Sequence, residues 1–258
     1  MKGRSAIVTG GARGLGRAFA EALVREGANV TLCDVLDTAP AVADALDGPA
    51  SAQGLILDVS KLDDLQQLVA AAGDAYGGVD ILVNNAGRWR VTDPADPYEK
   101  ALEDWDFIMN TNLKGLLLLS RLCVPRMIDR GGGDIVNIST YYVLPAKSPG
   151  TNNPYTDLYN ASKWALNGFT QAWSRSLAKH NIRVNALCMG ATDTPMLRGL
   201  FGGDPPADFA ATWMQPEQIA QQLIDLLADG RSGENIGAWV GEPAILGPRK
   251  PEHRKITG

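Results

Sequence analysis

"SAIVTGGARGLG", residues 5 to 16, is the stretch on which the fold turns. An apolar run, Ala6 to Val8, breaks at Thr9 into a cluster of glycines, and a helical period follows at once. Short apolar runs of this kind suit a strand buried on both faces. Glycine lets the backbone turn tightly and leaves no Cβ in the way of an approaching phosphate. The helix that starts there offers free N–H groups and the positive end of its dipole to an anion. Strand, glycine turn and helix in that order predict a pyrophosphate cradle, with Gly10, Gly14 and Gly16 as its glycines.

Outward from this unit, short apolar runs alternate with longer stretches of helical period. Strands are expected near residues 4–9, 29–34, 53–58, 80–84, 133–139, 182–188 and 236–241. Helices are expected near 14–26, 61–76, 99–129, 157–180 and 216–228, with a weaker one around 40–46. Such alternation with few hairpin signals predicts an α/β chain, a parallel sheet covered on both faces. No repeat or low-complexity linker interrupts it, so residues 1–246 read as one domain and residues 247–258 as a surface tail. Three irregular segments, 88–98, 141–156 and 190–214, read as functional loops.

Composition narrows the partners. Net charge is −5, and no basic run of five or more residues occurs, which argues against nucleic acid and anionic membrane. The longest greasy patch, Leu116 to Leu119, is too short to span a bilayer, and no signal segment precedes the first strand. Cys33, Cys123 and Cys188 are far apart and odd in number, as suits a reduced cytoplasmic protein. His180 and His253 are the only histidines and lack ligand spacing to a cysteine, so no metal site is expected.

The second strand ends at Asp34, 24 positions beyond Gly10. A carboxylate there can accept from ribose hydroxyls and repels a 2′-phosphate, which favours NAD over NADP. Arg13 argues the other way, since a cation in the glycine loop could grip that phosphate. Asp58 and Val59 close the third strand, where an acid could hold the adenine amino group. Asn84, Asn85, Ala86 and Gly87 close the fourth and can line the cofactor floor. Farther on, "YNASK", residues 159–163, puts Tyr159 and Lys163 on one face of a helix.

Taken together these residues resemble the short-chain dehydrogenase/reductase family, over most of the chain. The likeness rests on the glycine turn, Asp58-Val59, Asn84 to Gly87, Asn112 in "TNLKG", Tyr159 with Lys163, and "IRVNALCMG" from Ile182 to Gly190. It implies a Rossmann-type, doubly wound, seven-stranded parallel sheet, usually assembled as a dimer or tetramer. It also implies a tyrosine, Tyr159, that exchanges a proton with the substrate oxygen. A free phenol is too weak an acid for that role at neutral pH. Lys163 and the positive nicotinamide ring are expected to lower its pKa. Asn112, rather than Asn110, matches the asparagine of the proton relay. The serine position falls on Thr140, with Ser139 expected to face away. The implied cofactor set comprises Gly10, Arg13, Gly14, Leu15, Gly16, Asp34, Asp58, Val59, Asn85, Ala86, Gly87, Tyr159, Lys163, Gly190, Thr192 and Thr194, with Thr194 on the carboxamide.

Three departures stand out. Thr140 lies farther from Tyr159 than is common in the family, so residues 145–156 read as an insertion that walls the substrate site. Met189-Gly190 replaces the usual Pro-Gly, and the carboxy end lacks the usual glycine pair. Substrate contacts are expected from Trp89, Tyr141, Tyr142, Tyr155 and Met196, with Phe201 and Trp213 as further candidates. Residues 190–214 are expected to close over the nicotinamide as a lid. These aromatics suit a bulky, apolar secondary alcohol or ketone, cyclic, aromatic or terpenoid. The expected function is an NAD-dependent alcohol dehydrogenase or ketone reductase. Competing readings are an NAD-using epimerase on the same fold and a non-catalytic dinucleotide-binding regulator.

Overall fold

A computed structural model of the chain describes residues 1–144 and 154–250. Most of the expected insertion over 145–156, and His253 in the tail, lie outside the described residues. The seven strands are β1 (Ser5–Thr9), β2 (Asn29–Asp34), β3 (Ala52–Ile56), β4 (Ile81–Asn84), β5 (Gly133–Thr140), β6 (Ile182–Met189) and β7 (Asn235–Ala238). They form one sheet in the order β3-β2-β1-β4-β5-β6-β7, parallel throughout. The connections switch direction between β1 and β4, which opens a crevice at the carboxyl ends of the strands.

Nine α-helices cover the sheet among the described residues: α1 (Gly14–Arg25), α2 (Ala39–Asp44), α3 (Leu62–Tyr76), α4 (Tyr98–Met109), α5 (Leu116–Asp129), α6 (Asp157–Ser176), α7 (Pro195–Gly199), α8 (Ala207–Ala210) and α9 (Pro216–Asp229). Alternate residues of each strand feed two cores. Ala6 and Val8 join Phe19 and Leu23 of α1 and Leu223 and Leu227 of α9 on one face. Ile7 joins Leu65 and Leu68 of α3 and Leu119 and Cys123 of α5 on the other. Full burial of a side chain such as Phe19 or Leu65 contributes about 1.5–3 kcal/mol. At the amino ends of the strands, Asp134 takes Arg4 at 2.5 Å and Arg183 at 2.6 Å, and Asp80 takes Arg130 at 2.8 Å. These ion pairs tie the sheet together at the end opposite the crevice. No helix among the described residues is long and apolar enough to cross a membrane.

The single helix expected over 99–129 is not continuous. Residues Asn110–Gly115 form a π-helical turn between α4 and α5. A Cβ at Gly115 would lie 2.4 Å from the Val59 carbonyl oxygen, so the chain presses against the third strand's exit there. The wider turn also rotates Asn112 inward, as π-bulges at functional sites commonly do. The helix expected over 157–180 ends at Ser176. Ala178–His180 form a 3-10 turn, and Asn181 at φ 57° steers the chain into β6. β7 stops at Ala238 rather than 241, because the backbone turns at Gly241, φ 78°, where Glu242 N–H donates to the Trp239 carbonyl. The segment 190–214, expected to be irregular, holds the two short helices α7 and α8.

Candidate active site

The glycine turn is built as the residue types require. Gly10 and Gly14 take φ of 65° and 54°, in the left-handed region. Gly16 is closer still: a Cβ there would stand 2.0 Å from the Gly10 carbonyl oxygen. Thr9 laces this turn to the exit of β4. Its Oγ1 accepts from the N–H groups of Asn85 and Ala86, each at 3.0 Å. In return, Asn85 Nδ2 donates to the carbonyls of Thr9 at 2.8 Å and Gly10 at 3.1 Å. At the end of β2 the Asp34 carboxylate accepts from the N–H of Ala12 at 3.1 Å and of Leu36 at 3.2 Å. It is thereby aimed across the mouth of the turn. Asp58 Oδ1 accepts from the Ser60 N–H and hydroxyl at 2.9 and 2.7 Å. Burial opposes ionisation of Asp58, but those bonds and the nearby Arg88 and Lys61 charges hold its carboxyl below the usual range.

Across the crevice, α6 carries Tyr159 and Lys163 one turn apart. Lys163 is buried, its Nζ donating to the Ile138 carbonyl at 2.8 Å and standing 5.6 Å from the centre of the Tyr159 ring. The acidified phenol expected from the sequence calls for both Lys163 and the nicotinamide ring beside it; the protein's own groups do not lower it. Tyr159 reaches the crevice but is otherwise enclosed, and burial pushes its phenol up, helped by Tyr142. Burial also weakens Lys163, to about 8. For both groups, burial is the largest cause of the shift.

The π-helical turn delivers Asn112. Its Oδ1 accepts from the Arg88 N–H at 2.7 Å, and its Nδ2 donates to the Arg88 carbonyl at 3.0 Å and to Ser162 Oγ at 3.1 Å. Ser162 Oγ then donates to the Tyr159 carbonyl at 2.7 Å. Asn110 instead faces out, toward Asp106. A second amide chain runs below: Asn84 Nδ2 to Asn137 Oδ1 at 3.0 Å, and Asn137 Nδ2 to Thr170 Oγ1 at 3.1 Å. It locks β4 and β5 to α6.

The crevice between the glycine turn and α6 holds a cleft of about 250 Å³. Its wall includes Gly10, Arg13, Gly14, Leu15 and Asp34 on one side and Asp58, Val59, Asn85, Ala86 and Gly87 on the floor. Tyr159, Lys163 and Thr194 complete it on the other side. The glycine turn, the Asp34 carboxylate and the tyrosine–lysine pair share a single crevice, and the sequence pattern of the short chain dehydrogenase family matches residues 4–203. The chain belongs to that family.

Relatives agree across nearly the whole length. The 3-oxoacyl-(acyl-carrier-protein) reductase FabG of Thermotoga maritima is 34% identical over 92% of this chain and 96% of its own. The 2,5-dichloro-2,5-cyclohexadiene-1,4-diol dehydrogenase of Sphingobium indicum is 34% identical over 95% and 99%. A sorbitol dehydrogenase of Cereibacter sphaeroides is 36% identical over 75% and 72%. As a short-chain dehydrogenase/reductase, the protein belongs to a family of oxidoreductases that bind a nicotinamide dinucleotide and act on small molecules.

Other expected site residues of this short-chain dehydrogenase are placed elsewhere. Gly16, Asn112, Gly190 and Thr192 do not line the cleft; Thr192 Oγ1 donates to the Gly190 carbonyl at 3.0 Å. Ser139, expected to face away, lines the cleft, whereas Thr140 does not; Thr140 Oγ1 accepts from the Tyr142 N–H at 3.5 Å. The strand ends at this point, so simple alternation no longer predicts which hydroxyl faces in. Of the expected substrate residues only Met196 borders the cleft. Trp89 is half-buried outside it, and Tyr155 is exposed, its carbonyl accepting from the Thr92 N–H. The Tyr141 and Tyr142 rings meet tilted, their centres 4.6 Å apart, with Tyr141 edge-on to Trp239. Phe201 and Trp213 do not face the cleft. With Phe209 they form a three-ring cluster at 5.5–5.7 Å separations that stiffens the segment above α7. That segment is also braced by Arg198 on Asp193 at 2.6 and 2.8 Å. The lining residues that the sequence reading missed include Cys33, Leu57, Arg88, Thr111 and Pro195. Each flanks a motif residue, and that adjacency was the available signal.

Proposed function

We propose that the protein transfers a hydride between NAD and a bulky, apolar secondary alcohol or ketone. The observation that carries the reading is the meeting of Tyr159 and Lys163 with Asp34 and the glycine turn in one cleft. Gly10, Arg13, Gly14, Leu15 and Gly16 would hold the pyrophosphate, and Asp34 the adenosine ribose. Asp58 and Val59 would hold the adenine, Asn85 to Gly87 the floor, and Gly190, Thr192 and Thr194 the nicotinamide end. Bound there, the dinucleotide would carry the hydride, given by NADH to a ketone or taken by NAD from an alcohol. The chain supplies position and the proton.

Tyr159 is held as a neutral phenol through neutral pH, since burial raises it. It therefore acts first as a proton donor to a ketone oxygen. Lys163, weakened to about 8, can exchange protons near neutrality and resupply the phenol. Asn112 holds the loop at Arg88 and, through Ser162, the backbone of Tyr159. Thr140 is proposed as the hydroxyl that orients the substrate oxygen. Ser139 is a second candidate because it borders the cleft. Tyr98, Leu102 and Trp105 leave an exposed apolar stripe on α4, which supports assembly as a homodimer or homotetramer.

The test is NADH absorbance with a panel of cyclic and aromatic ketones. Turnover supports the reading, and NADH binding without turnover on any of them would favour the regulator. Asp34→Ala should weaken NAD and improve NADP, shifting the preference by about tenfold or more, as loss of a charge-assisted contact implies. An unchanged preference would give the choice to Arg13.

A further inference from the structure

We propose that Arg88 is the platform on which the adenine base of the dinucleotide stacks, an inference that rests on the NAD reading above. Arg88 follows the last floor residue, Gly87, and borders the cleft beside Asp58 and Val59. Its position is over-determined. Asn112 clamps its N–H and its carbonyl, at 2.7 and 3.0 Å. Its guanidinium carbon stands 4.8 Å from the centre of the Phe107 ring, so one side of the cation rests on an aromatic. Phe107 is pinned in turn by Arg90, 3.6 Å from the same ring centre, and Arg90 is tied to buried Asp104 at 2.8 Å.

The chemistry of this corner selects its occupant. Arg88 Nη2 lies 3.9 Å from Asp58 Oδ2, within ion-pair range but too far for a hydrogen bond. Asp58 Oδ1 is taken twice by Ser60, whereas Oδ2 receives no hydrogen bond among the described residues. A flat cation and an open carboxylate oxygen thus share one corner. A phosphate would be attracted by the first and repelled by the second. An amino-purine suits both, with an exocyclic N–H₂ to donate to Oδ2 and a π-face for the guanidinium. Lysine would not serve, since it has the charge without the plane.

The experiment titrates NAD and ADP-ribose calorimetrically into the full-length wild-type protein and into Arg88→Leu and Arg88→Lys. ADP-ribose keeps the adenine and lacks the nicotinamide, and no turnover is read. Arg88→Leu should weaken both ligands by about five- to tenfold, equally at low and high salt. Arg88→Lys should recover little of the loss. Wild-type affinity in Arg88→Leu would overturn the inference. So would full recovery in Arg88→Lys with a steep salt dependence, which would make Arg88 a phosphate contact. Absence of binding to the wild-type protein would overturn the dinucleotide reading and this inference with it.

Discussion

On the β1–β4 side of the cleft, polar side chains hold the main chain in place; on the α6 and α7 side, side chains themselves line the wall. Around the glycine turn, Thr9, Asn85 and Asp34 bond to backbone N–H and C=O groups at 2.8–3.2 Å, and Gly16 packs directly on the Gly10 carbonyl. Across from it, the side chains of Ser139, Tyr159, Lys163, Thr194 and Met196 line the wall, and the Arg198–Asp193 pair braces α7. A backbone-built wall can grip the part of a ligand that never varies, the pyrophosphate and ribose. A side-chain-built wall can be recut for a new substrate without disturbing the sheet. Relatives named for an acyl-carrier-protein substrate, a chlorinated diol and sorbitol differ in substrate while the family pattern persists.

The comparison can be broken in four ways, in falling order of effect. Tyr159→Phe removes the proposed proton donor and should lower turnover by roughly 10²–10⁴-fold while NADH binding, read by fluorescence, persists. Retained turnover would move the acid elsewhere. Gly16→Ala tests the backbone wall. A Cβ 2.0 Å from a carbonyl oxygen has no flexible neighbour to displace, so urea unfolding should show a loss of about 2–3 kcal/mol. A loss below about 0.5 kcal/mol, the level of an ordinary surface change, would mean that the turn yields.

Lys163 tests the side-chain wall through pH. Its folded value of about 8 lies below the ordinary 10.5, so carrying the ammonium penalises the folded state. That penalty is full below pH 8 and is relieved as pH rises toward 10.5. Between pH 7 and 10, wild-type stability should therefore gain on Lys163→Met by on the order of 2 kcal/mol in urea titrations. A constant difference would place the lysine in water. The raised phenol of Tyr159 acts in the opposite direction, but only above its ordinary value of 10.0. The smallest effect separates Ser139→Ala from Thr140→Ala. Loss of one substrate-orienting hydroxyl should reduce kcat/KM by about tenfold in one variant and leave the other nearer wild type. Equal losses would show that the two hydroxyls share the substrate oxygen.

Much of the fold was legible because its signals are local. Each strand was found within a few residues, since a buried parallel strand must be a continuous apolar run between turn residues. Gly10, Gly14, Asp34, Asp58 and Asn85 were legible because each sits at a strand end or in the turn that follows one, a position that the strand itself marks. The errors fell where distant groups decide. The π-helical turn at Asn110–Gly115 answers to the Val59 carbonyl and the Arg88 backbone, both far away in sequence. Trp213 and Phe201 read as pocket aromatics, yet Phe209 captures them. Arg88 carries no helix or turn signal, and its relation to Phe107 and Asp58 exists only once β4 and α4 are packed.

By itself, then, the order of residues determined the alternation of strands and helices, the place of the glycine turn, and the pairing of Tyr159 with Lys163 one helical turn apart. These depend on backbone sterics and on period, which operate within a dozen residues. Tertiary structure alone decided that Ser139 rather than Thr140 borders the cleft, that burial pushes the Tyr159 phenol up, and that Arg88 stands beside Asp58. Dehydration and long-range contact set those outcomes, and both depend on which segments of chain come to surround a group.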